Sequence, residues 1–412
     1  MNDDLTSFQD KTRLFFSTHM KYTHPLVIAA GALLLFGGLY LVTRTKAPSS
    51  QVFADPSANE IRVGFVGPLT GNAAAFGLPI QKSVMLAEEE INRSGGIHGK
   101  RIKVIYEDGK CDPKEAVTAI QKLINVDHIV MSIVSCSGEV LAVAPIVNEK
   151  HIPIISPIAS VPDITTKGGE YTFRLYPSDA LAGKVAAQYA TEDLHAKKVA
   201  AISENTDYAQ GLRGAFTTSF KSAGGEVAFD EVFNSGTIDF RTLALKIKDA
   251  QVDAIYVVPQ TPTSGIIVVK ALKDQGLTQP LLTGEALIGD AIVKDNKDVL
   301  EGIRSFDVYF DEQSAGRKHL VEAFRQKFQE ELAFPSLMMD GYTSLYLVKD
   351  MLEKQGEDGQ KIQQGLATLT HWKGGALDDV TFDQYGDIKW NAYALKEARN
   401  GKAETLKVFQ VK

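Results

Sequence analysis

The stretch Ile61-Arg62-Val63-Gly64-Phe65-Val66-Gly67-Pro68-Leu69-Thr70-Gly71 decides the fold class. Its first six residues carry the β-branched and aromatic side chains of a buried strand, and a glycine–proline break ends them. Ile80, Val84, Ala87 and Ile91 then recur at helical spacing until Gly95-Gly96 stops the helix. The alternation continues with strands expected at 102–106, 128–135 and 152–155. Within it, Asp112-Pro113-Lys114-Glu115 supplies a capping aspartate, a proline at the first helical position and a glutamate three residues on. A second series begins near residue 198, with strands expected at 199–203, 227–233, 252–258 and 281–283 and helices at 210–223 and 240–250. Helical patterning dominates again from 314 to about 371. Gln384-Tyr385-Gly386-Asp387 then marks a turn between strand-like runs. The pattern predicts an α/β protein of two doubly wound parallel-sheet lobes, each with its working residues in loops at the carboxyl ends of its strands. The lobes are expected at 59–177 with 308–380 and at 178–307 with 381–412. Three crossovers near 175–178, 305–310 and 375–390 would join them.

A chain of 412 residues has room for two such cores. The net charge of −7, with no basic patch, argues against a nucleic-acid partner. The first 58 residues stand apart. Residues 1–24 read as a leader, 25–43 as a transmembrane helix or signal h-region, and 44–58 as a linker. Residues 22–43 contain no Asp, Glu, Lys or Arg, and their apolar run is long enough to cross a bilayer. Two readings stay open: a signal peptide cleaved near Val52-Phe53-Ala54, or an uncleaved anchor. Translation starting at Met20 rather than Met1 would give a normal signal n-region. Either way the remainder is expected to be exported.

Enzyme chemistry is hard to find. There is no G-x-S-x-G elbow, no H-E-x-x-H and no G-x-G-x-x-G after the first strand. Gly95-Gly96-Ile97-His98-Gly99-Lys100-Arg101 is one residue short of a P-loop and lacks the Ser or Thr after its lysine. The eight histidines are scattered without an i, i+4 pair. No cofactor or metal is implied. Cys111 and Cys136 are the only cysteines. They fall at the ends of the second and third strands, which can be neighbours in a parallel sheet. A disulfide closing residues 112–135 fits and would contribute roughly 3 kcal/mol; two free buried thiols are the alternative.

Three motifs carry a resemblance. Gly67-Pro68-Leu69-Thr70-Gly71, Ile91-Asn92-Arg93-Ser94-Gly95-Gly96-Ile97 and Cys111-Asp112-Pro113-Lys114-Glu115-Ala116-Val117 look like the branched-chain amino-acid-binding protein family, receptors of type I periplasmic-binding architecture. The cysteine spacing also matches that family's disulfide. The resemblance implies a monomeric, extracytoplasmic receptor that closes on a small ligand and passes it to the membrane permease of an ABC importer. A membrane-tethered sensory module of the same fold, with a non-amino-acid ligand, is the alternative. Carried over residue by residue, the family pattern gives Ser137 and Ser160 to the ligand carboxylate. It gives Glu285 to the α-ammonium, Tyr208 as a cover from the second lobe, and Phe76, Ile158 and Ser135 as wall. A departure follows. Ser135 stands where receptors for leucine-like side chains are apolar, and Pro259-Gln260-Thr261-Pro262-Thr263-Ser264 lacks the expected aromatic. Such hydroxyls suit a polar or smaller ligand.

Overall fold

In a computed structural model, which describes residues 59–410, the run Glu60–Gly67 (β1) lies between two parallel neighbours, Arg101–Asp108 (β2) and Met131–Val134 (β3). Ile154–Ser156 (β4) and Thr172–Arg174 (β5) extend this sheet in the order β2-β1-β3-β4-β5, with every neighbour parallel. Ile61, Val63, Phe65 and Val66 are all buried, which is why the strand reads as nearly unbroken apolar sequence. The helix Pro113–Asn125 starts as its sequence dictates: the Asp112 carboxylate accepts from the amides of Lys114 (2.8 Å) and Glu115 (3.1 Å).

The second sheet is mixed. Lys198–Glu204 (β6), Glu226–Phe233 (β7), Ala254–Val258 (β8), Leu281–Thr283 (β9) and Arg304–Val308 (β10) run parallel. After a small hairpin of Trp372–Gly374 (β11) and Leu377–Val380 (β12), two antiparallel strands, Ala392–Arg399 (β13) and Lys402–Gln410 (β14), complete the order β14-β13-β10-β9-β8-β6-β7. Their tight turn is Asn400-Gly401, both at positive φ (51° and 77°). The parallel sheets expected from the sequence are present, and an antiparallel pair is added at the edge of the second.

The structure also corrects one connection. Residues 304–308, read as part of a crossover, form β10 inside the second sheet. Two buried polar residues disguise it: Ser305 Oγ donates to the Gly284 carbonyl (2.9 Å), and Asp307 accepts from Lys396 Nζ (2.6 Å). The chain therefore returns to the first sheet's side only after Val308. Strand β5 was likewise unread, being three residues long. The leader and the apolar segment at 25–43 lie outside the described residues. Among those described, no helix is long and apolar enough to cross a membrane.

Two polar clusters tie the crossovers down. Arg174, at the end of β5, is fully buried and forks onto Asp387 through Nε–Oδ1 (2.6 Å) and Nη2–Oδ2 (2.7 Å). Its Nη1 donates to the Val161 carbonyl (2.9 Å) and Nη2 also to Thr165 Oγ1 (2.7 Å). Residues 386–388 are thereby pinned beside β5 just before the chain crosses to β13. Around Asp307, the Tyr176 and Ser336 hydroxyls donate to Oδ1 (3.3 and 3.4 Å), joining the first crossover, β10 and the helix Pro335–Gln355. Removing one partner of a buried pair strands the other charge. Asp387→Ala is therefore expected to cost about 3–5 kcal/mol, read as a lowered urea midpoint at unchanged m-value. A loss below about 1 kcal/mol would show that Arg174 finds another partner.

Candidate functional site

Two residues past β3, Cys136 bonds to Cys111 beyond β2 across a Cα–Cα distance of 5.3 Å. The Glu139 carboxylate bridges the same junction. Its Oε1 accepts from the Cys111 amide (3.0 Å) and its Oε2 from the Cys136 amide (2.9 Å). Burial pushes this carboxyl up to about 7, against those two amide bonds. The junction fixes the start of the helix Ser137–Lys150. Ser137 Oγ accepts from the amides of Ser160 (3.1 Å) and Val161 (3.3 Å) in the loop after β4. With its acceptor capacity used, its hydroxyl hydrogen is left to donate. A donor at a helix N-terminus is suited to an anion.

Ser137 lines a cavity of about 400 Å³, counted to its open mouth. Phe76, Cys136, Ile158 and Leu337 complete the wall on the side of the first sheet; Tyr208, Gln260, Glu285 and Ala286 face them from the second. Glu285 follows β9 and is half-buried on the cavity wall. Burial raises its carboxyl to about 7, and the charge of Asp307 adds to the push. No cation offsets it among the described residues. Behind it, Asp179 accepts from Ser160 Oγ (3.0 Å) and is held well above the usual carboxylate range, first by burial and then by the charge of Glu285. The Tyr208 hydroxyl stands beside Glu285 outside hydrogen-bonding geometry, and both it and the Tyr393 hydroxyl are buried without partners. The cavity thus presents an acid with no cation beside it and the idle Tyr208 phenol on one side, and a hydroxyl donor at a helix start on the other.

Five of the seven ligand residues expected from the sequence meet at this cavity: Phe76, Ser137, Ile158, Tyr208 and Glu285. Two do not reach it. Ser160 stands behind Ser137, with its amide on Ser137 and its hydroxyl on Asp179. Ser135 packs its unpartnered hydroxyl against β1, 2.6 Å from where a Cβ on Gly67 would lie. Ser135 lies past the last residue of β3, and its side chain packs toward Gly67 of β1 rather than into the cleft. Gln260, Ala286, Leu337 and Asp179 were not anticipated. Gln260 alone had a signal, as the polar residue where an aromatic was expected.

The two sides approach closely above the cavity. A Cβ on Gly138 would sit 2.7 Å from Asp207 Oδ2, and one on Gly211 would sit 2.5 Å from Val161 Cγ2. Glycine at these positions lets the helix Asp207–Ser222 close onto the start of the helix Ser137–Lys150.

A cleft between two α/β sheets, with the site at the carboxyl ends of their strands, agrees with what the family comparison finds: residues 60–402 match the model of the periplasmic binding proteins. The chain belongs to that family. A Pseudomonas aeruginosa relative, the leucine-, isoleucine-, valine-, threonine- and alanine-binding protein, is 28% identical over 336 residues, 81% of this chain and 88% of that one. The structure of the branched-chain amino acid transporter substrate-binding protein LivJ of Streptococcus pneumoniae, in complex with isoleucine, superimposes with a TM-score of 0.77 at 28% identity. It covers 85% of this chain and 99% of that one. A Rhodopseudomonas palustris solute-binding protein in complex with benzoate shares the fold at 20% identity (TM-score 0.76; 85% and 97% covered). Membership in this family is membership among binding proteins rather than enzymes.

The buried acids set a sign for stability. A carboxyl raised from its ordinary value to about 7 supports the fold fully below the unfolded value and loses that support as pH rises through 7. Ligand-free protein is therefore expected to melt at a lower temperature at pH 8 than at pH 5.5. Glu285→Gln should recover part of that loss at pH 8 and change little at pH 5.5. Equal destabilisation by Glu285→Gln at both pH values would refute the reading.

Proposed function

We propose that this protein captures the zwitterionic headgroup of an α-amino acid between its two lobes and presents it, in the closed form, to the permease of an ABC importer. The observation that carries the reading is Glu285, a half-buried carboxylate with no cation beside it among the described residues, on the wall of the cavity that Ser137 enters from the other lobe. An ammonium supplies the missing charge and three donors, enough for Glu285 and the idle Tyr208 hydroxyl. A carboxylate meets the Ser137 hydroxyl and the helix start. Neither lobe alone holds both ends, so the ligand favours the closed arrangement by its differential affinity. Closure would turn on the links at 175–178, just after Val308, and before Ala392, with lobes close to 59–177 plus 308–380 and 178–307 plus 381–412. A single chain supplies every group. The protein would work outside the cytoplasmic membrane, with residues 25–43 as the exporting or anchoring segment.

The test is calorimetric titration of the purified protein with glycine, larger amino acids and their des-amino carboxylate analogues. Amino acids are expected to bind and the analogues to fail, with Glu285→Gln abolishing most of the affinity. Because the ammonium selects the ionised carboxylate, affinity should fall about tenfold per pH unit below 7. Equal binding of the des-amino analogues, or full affinity in Glu285→Gln, would refute the assignment.

A further inference from the structure

The inner cavity does not end at the headgroup. Through Cys136, Ser137, Tyr208 and Gln260, which line both spaces, it continues outward into a cleft of about 1140 Å³, again counted to its mouth. Gln260 stands at the passage. Its backbone amide donates to Glu204 Oε2 (2.8 Å), and its carboxamide forms no hydrogen bond with the described residues. Glu204, at the end of β6, is buried at 4% exposure; its Oε2 also accepts from Ser264 Oγ (2.6 Å), while its Oε1 accepts nothing. The carboxylate thus fixes the Gln260 backbone and leaves one oxygen in reserve. Asp112 and Asp207 line the same cleft, whereas its lysine, Lys110, is paired with Glu115 (3.2 Å). The passage is therefore polar and its charge leans negative.

We infer that the ligand's side chain leaves the inner cavity past Gln260 and carries a hydrogen-bond donor, an amide or an amine, which the Gln260 carboxamide reads while Glu204 positions it. This rests on the amino-acid reading above and adds the side-chain class. An aliphatic side chain there would strip water from the Gln260 carboxamide and Glu204 Oε1 and return nothing. A carboxylate side chain would meet Glu204 and Asp207, a like-charge contact.

The experiment is a calorimetric panel of glycine, glutamine, lysine, leucine and glutamate on the full chain and on Gln260→Leu. Wild type is expected to bind glutamine or lysine at least about tenfold more tightly than leucine, with glutamate weakest. Gln260→Leu should invert the glutamine–leucine order and weaken glutamine far more than glycine, whereas a merely structural role of Gln260 would weaken all ligands alike. Glu204→Gln, as a second variant, should weaken lysine more than glutamine. Leucine binding tightest to wild type would overturn the inference while leaving the amino-acid reading intact. So would a Gln260→Leu variant that loses all ligands alike. If no amino acid binds at all, both fall together.

Discussion

A half-buried carboxylate on a cavity wall, with no cation beside it among the described residues, is the condition around which the site is arranged. Ionising Glu285 in the ligand-free cavity is costly, and the charge of Asp307 raises that cost. Isolated buried charge is tolerated only where something offsets it, and under the proposed function the ligand's ammonium would do so. The stability lost around the site as pH rises through 7 and the proposed recognition of an ammonium would be two faces of one arrangement.

Such a site works only if the rest of the framework is stiff. The first lobe achieves this with a covalent bond and a carboxylate at one junction: Cys111–Cys136 joins the ends of β2 and β3, and Glu139 takes up the amides of both cysteines. Ser137 begins its helix from that junction and is held in turn by the loop after β4. The crossovers are anchored by the Arg174–Asp387 fork and by the cluster at Asp307. Under the proposed hinge closure, the short links between the sheets would take up the motion while both half-sites keep their shape. Gly138 and Gly211 leave the space into which the lobes close.

Much of this was legible in the sequence, because the first sheet obeys simple rules. Its strands are continuous apolar runs, its helices carry Asp-Pro and Gly-Gly punctuation, and its cysteines fall at strand ends. The headgroup residues were reachable because they sit where the chain leaves a strand. What escaped did so for physical reasons. β10 carries Ser305 and Asp307 inward, paired to Gly284 and Lys396, and so lacks an apolar pattern. The antiparallel edge depended on Asn400-Gly401, a hairpin signal present in the sequence but overlooked beside the parallel pattern. Ser135 was misjudged because proximity along the chain to Cys136 says nothing about which face of the sheet a side chain takes. Leu337 comes from a helix about fifty residues beyond Glu285, and Asp179 acts through Ser160; neither spacing leaves a local signature.

The central claim is that an ammonium from the ligand ionises Glu285, and the most direct measurement counts the proton that must then leave. Calorimetric binding of one amino acid at pH 6.5, repeated in buffers of different ionisation enthalpy, gives that number. The account predicts release of more than about half a proton per ligand, vanishing in Glu285→Gln and above pH 8.5. A binding enthalpy independent of the buffer, or uptake of a proton, would contradict it.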